Sequence, residues 1–203
     1  ATPVLLGGLR RLEYRGYDSA GLSVQDGKEL LTLRAVGKVS RLADKVRAEW
    51  PEELQTRRVV GIAHTRWATH GAPTEANAHP HADASGRIRL VHNGIIENYR
   101  AIRAKLEAKG HVFASETDTE AVARLVGEYY KGDLRKAVIA ALRQVEGAYG
   151  IAVISADEPG RIVVARKGSP LVIGVGEGEC LIASDPSALI SHTRRVIYLD
   201  DGD

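Results

Sequence analysis

Apolar positions along this chain recur with two periods, and the changes of period mark its elements. Leu5, Leu6, Leu9 and Leu12 follow helical spacing behind Thr2-Pro3, which reads as an N-cap followed by proline at the first helical position; this helix should end before Gly16. Residues 20–24 and 30–36 form two apolar runs on either side of Asp26-Gly27, a hairpin signal. Val39, Leu42 and Val46 share one face of a short helix over 38–49, and residues 58–64 read as a buried strand. Residues 65–86 are polar and rich in Gly, Pro, Thr, Asn and His, the pattern of a long functional loop. A strand over 87–92 should end at Asn93-Gly94, and a charged helix over 97–109 should be closed by Gly110. Val112 and Phe113 begin a short strand. Thr117 to Glu120 is a capping box for a helix over 118–130, and Asp133 caps another that runs to Glu146. The last third alternates turn signals with strands at 148–155, 161–166, 170–176, 180–184 and 196–200. The whole is one α+β domain of mostly antiparallel strands with helices on the sheet faces.

Composition narrows the function classes. The chain has 203 residues, 44% of them hydrophobic and 27% charged, which excludes disordered, collagenous and disulfide-stapled proteins. A net charge of +2, from 28 basic and 26 acidic residues, is too balanced for a nucleic-acid-binding face. No apolar run is long enough to span a bilayer, and no secretion signal is visible. The single cysteine, Cys180, forms no internal disulfide, which points to a reducing, cytoplasmic compartment. There is no Met, and the chain opens on a capped helix, so a segment that leads into the cap is expected ahead of Ala1.

Candidate chemistry concentrates in the loops. Five of the seven histidines fall between His64 and His92; loop histidines bonding to backbone are favoured over a metal site, because the spacing lacks a helical pair of ligands. Arg66 and Trp67 follow a strand end, where an arginine could take a small carboxylate and a tryptophan could exclude water, or they are a surface arginine and a core tryptophan. Asn93-Gly94 is by default a tight turn, and alternatively an oxyanion hole. Asp118 either stabilises a helix N-terminus or accepts a substrate ammonium. The segment from Tyr14 to Asp18 is a polar network bracing a site or a solvated loop. Cys180 lies beside Glu177 and Glu179, which disfavour a thiolate, so it is read as a small hydrophobe.

The ordered segments 14–21, 64–71, 77–81, 92–98, 115–120, 147–150 and 168–174 together resemble the glutaminase domains of the glutamine–fructose-6-phosphate aminotransferases. Trp67, and the Tyr14-Arg15-Gly16-Tyr17-Asp18 segment, separate the chain from the related glutaminase domain of amidophosphoribosyltransferase, the alternative within this class. The resemblance implies an N-terminal-nucleophile hydrolase fold of two stacked, mostly antiparallel sheets between helical layers. It also implies hydrolysis of L-glutamine by an N-terminal cysteine whose α-amino group is the base. Arg66, with Thr69 and His70, would hold the glutamine carboxylate, and Asp118 the ammonium. Asn93 and Gly94 would form the oxyanion hole, Arg15 and Gly16 would brace the nucleophile's strand, and Trp67 would shield or gate the ammonia exit. No residue of the chain matches the nucleophile, so residues 1–203 are expected to be a glutaminase domain without its nucleophile strand and inactive as such. Ammonia would pass to a sugar-phosphate isomerase domain of the parent protein, expected to be homo-oligomeric, with no cofactor, metal, nucleic acid or membrane involved. A glutamine-binding module without turnover and a metal-dependent hydrolase are the other readings.

Overall fold

The computed structural model describes residues 1–57, 59–67 and 71–203. Its order is α1 (Thr2–Leu12), β1 (Ser19–Asp26), β2 (Glu29–Val36), α2 (Val39–Glu49), α3 (Glu52–Thr56), β3 (Gly61–Arg66), β4 (His81–Ala82), β5 (Ile88–Ile96) and α4 (Tyr99–Glu107). There follow α5 (Asp118–Tyr129), α6 (Leu134–Leu142), β6 (Gly147–Ser155), β7 (Val163–Lys167), β8 (Val172–Val175), β9 (Cys180–Ala183) and β10 (Val196–Tyr198).

Two sheets face each other between helices. One has the order β2-β1-β3 and the other β4-β5-β6-β7, and every pairing within them is antiparallel. Ile62 of β3, Val91 of β5, and Ala152 and Ile154 of β6 fill the space between them. Gln25 adds a polar tie across this layer, donating from Nε2 to the Ser155 carbonyl and accepting from the Gly160 N–H. Leu22, Val24, Leu42 and Val46 join the outer face of the first sheet to α2. Leu90, Ile151, Val122 and Val126 join the second sheet to α5, with α4 and α6 packed beside it. This is the layered α+β architecture that the resemblance implies. A third, smaller sheet of order β10-β8-β9 extends it, with its own cluster around Val172 and Leu189.

Several local expectations need correction. Asn93-Gly94 does not end a strand: β5 runs through it to Ile96, with Asn93 opposite Gly150 and Gly94 opposite Tyr149. Gly94 makes this possible, because at φ +131° a Cβ there would meet the Ala148 carbonyl oxygen at 2.1 Å. Thr2 is the first residue of α1, not its cap, which is Ala1. Residues 112–113 form no strand, because their backbone leads directly into the α5 cap. Helix α6 stops at Leu142, four residues before Glu146, where the chain turns to enter β6. The short α3 behind Pro51 was not expected.

The closest backbone contact in the first sheet gives a stability test. A Cβ on Gly21 would lie 2.1 Å from the His79 carbonyl oxygen, whereas one on Gly7 in α1 would meet nothing within 4 Å. Gly21→Ala is expected to destabilise by about 3 kcal/mol or more, and Gly7→Ala to stabilise by about 0.5–1 kcal/mol. Urea unfolding of both variants checks the contrast.

Candidate active site

One end of the sandwich is cut by a pocket of about 160 Å³, to which β3, β5 and α5 each contribute a terminal or near-terminal residue. Arg66 is the last residue of β3, Asn93 and Gly94 lie near the end of β5, and Asp118 is the first residue of α5. Arg66 is 4% exposed. Its guanidinium donates to the carbonyls of Gly71 (3.0 Å) and Ala72 (3.2 Å). Burial lowers its pKa, while the charges of Asp18, Asp118 and Glu116 act the other way. Asp118 is also buried. Its Oδ2 accepts from the Ile96 N–H at 3.0 Å and its Oδ1 from the Thr119 N–H at 2.9 Å, so β5 and α5 hold the carboxylate jointly. Thr117 caps α5 by accepting from the Glu120 N–H. Glu120 reaches back to the N–H groups of Ala114 and Ser115, one turn further than a capping box requires.

Asn93 is oriented from below. Its Oδ1 lies 2.9 Å from Nε2 of His64. Burial first, and the charges of His92 and Arg66 after it, push the His64 pKa down to about 4, so the ring is neutral near pH 7. A neutral ring that donates through Nε2 fixes the Asn93 oxygen and leaves its two amide hydrogens for other partners. His64 belongs to a stack of buried histidines under the pocket. His79 lies 4.1 Å from His64 and 4.9 Å from His81 between ring centroids. His81 bonds Thr117 Oγ1 through Nε2 at 3.0 Å, and His92 bonds Thr119 Oγ1 through Nδ1 at 3.1 Å. His64, His81 and His92 lie on strands and bond to the side chains of Asn93, Thr117 and Thr119, where loop histidines bonding to backbone were expected. Among the described residues no three His, Cys, Asp or Glu converge as metal ligands.

The segment from Tyr14 to Asp18 packs against the end of β3. A Cβ on Gly16 would lie 2.9 Å from the Arg66 carbonyl carbon, and the Asp18 N–H donates to the Arg66 carbonyl at 3.1 Å. Arg15 lines the pocket and pairs with Asp185 at 3.8 Å. Trp67 is no core residue: it is 60% exposed at the pocket's edge, 5.8 Å from the Tyr17 ring. Thr69 and His70 lie outside the described residues. A second, largely apolar cavity of about 400 Å³ runs from α1 along Gly61–Thr65 of β3 and shares Arg15, His64, Asn93 and Gly94 with the pocket. Cys180 borders this cavity but not the polar pocket. Sequence reasoning missed Asn77, Thr117 and Thr119 as site residues. The capping-box signal held the threonines, and Asn77 opened the 77–81 segment of the resemblance without a role being assigned to it.

This fold and pocket define an N-terminal-nucleophile hydrolase type of domain. The glutamine phosphoribosylpyrophosphate amidotransferase from B. subtilis superposes with a TM-score of 0.79 at 25% identity, over 98% of this chain and 42% of that one. The description of the glutamine amidotransferase domain matches residues 64–191, and the chain belongs to that family. Among its relatives, the glutamine–fructose-6-phosphate aminotransferase (isomerizing) of Chlorobaculum tepidum is 54% identical over all of this chain and 33% of its own length. That of Thermus thermophilus is 55% identical, again over the whole chain and 33% of the relative. The chain thus spans about a third of the length of these curated relatives.

The histidine stack makes stability depend on pH. An imidazole whose pKa is lower folded than unfolded takes up its proton first in the unfolded chain. Stability is therefore full above the ordinary value of 6.5 and falls as the pH drops towards about 4 for His64 and about 3 for His81, with His79 acting in the same direction. The unfolding free energy from urea titration is expected to decline from pH 6.5 to 5, and the midpoint with it, with a slope approaching about 1.4 kcal/mol per pH unit for each of His64, His79 and His81. A midpoint constant over that interval would contradict the neutral stack.

Proposed function

We propose that this domain binds L-glutamine and hydrolyses its side-chain amide to glutamate and ammonia, as the glutaminase part of a longer protein. The observation that carries the reading is the presence in one small pocket of a buried guanidinium and a buried carboxylate, Arg66 and Asp118. A free α-amino acid carries the complementary pair, and a guanidinium suits a carboxylate geometrically. In this reading Arg66, assisted by Thr69 and His70, takes the substrate carboxylate, and Asp118 takes the ammonium. The amide to be cleaved then points towards Asn93 and Gly94.

The nucleophile in this mechanism is the thiol of an N-terminal cysteine on a segment ahead of Ala1. Two features support its seating: β3 is the outer strand of its sheet, and the apolar cavity runs along it to Asn93. The cysteine's α-amino group takes the thiol proton as sulfur bonds to the amide carbon. The Asn93 amide and the Gly94 N–H stabilise the resulting oxyanion. The protonated amine returns its proton to the leaving nitrogen, ammonia departs, and a glutamyl thioester forms. Water, deprotonated by the same amine, then cleaves the thioester to glutamate and restores the thiol. Arg15 and Gly16 brace the nucleophile's strand, and Trp67 shields or gates the ammonia exit.

The 54–55% identity to glutamine–fructose-6-phosphate aminotransferases, against 25% to the solved amidotransferase, favours the aminosugar member of the class. The ammonia then serves a sugar-phosphate isomerase domain of the same cytoplasmic, homo-oligomeric parent chain, which converts fructose 6-phosphate to glucosamine 6-phosphate. Among the described residues no helix is long and apolar enough to cross a membrane.

Release of ammonia and glutamate from glutamine, measured on the chain preceded by the parent's own cysteine-led segment, tests the reading. Turnover is expected, with Asn93→Ala slowing kcat by about 10²–10³-fold and Asp118→Asn acting chiefly on KM. A chain proven to begin at Ala1 should bind glutamate in a calorimeter without turnover. Glutamine hydrolysis by that shorter chain, or none by the longer one, would refute the mechanism.

A further inference from the structure

Asn77 sits between the two charges of the pocket without lining it. It is 2% exposed, and its carboxamide is fully committed. Nδ2 donates to the Ala72 carbonyl at 2.9 Å and to Glu116 Oε2 at 3.1 Å, and Oδ1 accepts from the Glu116 N–H at 3.0 Å. An asparagine that merely shaped its own loop would bond a few residues away. Two of these bonds instead reach Glu116, 39 residues on.

Both ends of this bridge lead to a charged group. The Ala72 carbonyl also accepts from Arg66, and its neighbour Gly71 accepts from Arg66 as well. Gly71, at φ +78°, lies so close that a Cβ there would meet Asn77 Nδ2 at 2.6 Å, so the loop that grips Arg66 rests on the carboxamide. At the other end Glu116 stands two residues before Asp118, in a segment held by the Thr117 cap and by Ser115 Oγ to Thr117 Oγ1 at 2.9 Å. Arg66, the Ala72 carbonyl, Asn77, the Glu116 backbone and Asp118 form one continuous chain of contacts.

We propose that Asn77 is a positioning residue that sets the separation of Arg66 and Asp118, and so restricts the pocket to free amino acids carrying both an α-carboxylate and an α-ammonium. This inference rests on the glutaminase reading. A site built to bond a substrate group rejects analogues lacking that group, because the buried partner is left unpaired. The rejection depends on the two charges being held at a fixed distance. Loosening the bridge lets Arg66 hold its carboxylate wherever the rest of the molecule settles, and the contact of the ammonium with Asp118 then contributes less.

The test compares L-glutamine with glutaramate, which has the same amide and a carboxylate but no α-ammonium, on the full chain bearing the cysteine-led segment. Asn77→Asp keeps the acceptor but loses both donors and places a second carboxylate against Glu116. Glu116→Ala is a surface change that removes one of the three bonds and guards against a fold defect in the first variant. For Asn77→Asp, KM for glutamine should rise about tenfold or more with kcat changed by less than about threefold. The ratio of kcat/KM for glutamine over glutaramate should fall by about tenfold, and Glu116→Ala should lie between this variant and the wild type. A purely structural role would lower the melting temperature and kcat while leaving that ratio intact, and an unchanged ratio in both variants overturns the proposal. A wild-type chain that neither hydrolyses glutamine nor binds glutamate overturns the glutaminase reading and this inference with it.

Discussion

Burying the guanidinium of Arg66 is the demand that organises one end of this molecule. A cation out of water is costly unless its hydrogen bonds and its charge are both answered. The hydrogen bonds are answered by two loop carbonyls, those of Gly71 and Ala72. The charge is answered by carboxylates at Asp18, Asp118 and Glu116, which come from two separate parts of the chain. Each of these groups needs support in turn. Asp118 is held by a strand N–H and a helix N–H, and Glu116 by Asn77. The pocket thus lies against a buried charge that is answered by groups from several segments of the chain.

Glycine makes the required approaches possible at two points. Gly16 lets the first connecting turn lie against the backbone of Arg66, and Gly94 lets β5 pass the Ala148 carbonyl without breaking its ladder. A side chain at either place would push apart elements that carry site residues. Under them His64, His79 and His81, whose pKa values burial lowers, form part of the packing beneath the pocket. His64 bonds to the Asn93 amide and His81 to the Thr117 hydroxyl without adding a competing positive charge beside Arg66 near pH 7. Stability and site chemistry therefore favour the same protonation state.

Local signals made most elements legible in the sequence. The Asp26-Gly27 hairpin joins β1 to β2, and Thr117 caps α5, because both depend on neighbouring residues alone. The pocket residues Arg66, Asn93, Gly94 and Asp118 are nameable as candidates because several motifs agree in order, although each alone is ambiguous. What stayed hidden was decided by distant partners. Asn93-Gly94 carries the local preference of a turn, but pairing with Gly150 and Tyr149 keeps it extended. The third sheet depends on strands that close only across the chain's last third. Asn77 opens one segment of the resemblance, but its partner Glu116, 39 residues away, is visible only in the fold.

The two tryptophans stand in opposite surroundings. Trp50 packs in the core under α2, and Trp67 is mostly open to water beside Tyr17 at the pocket's edge. Their fluorescence should divide accordingly into a blue-shifted emission shielded from quenchers and a red-shifted emission that acrylamide reaches. The red component should report on the edge of the pocket, and the blue one on the integrity of the first sheet. The chain carries its own pair of optical labels, one at the pocket and one in the core, with no dye to attach.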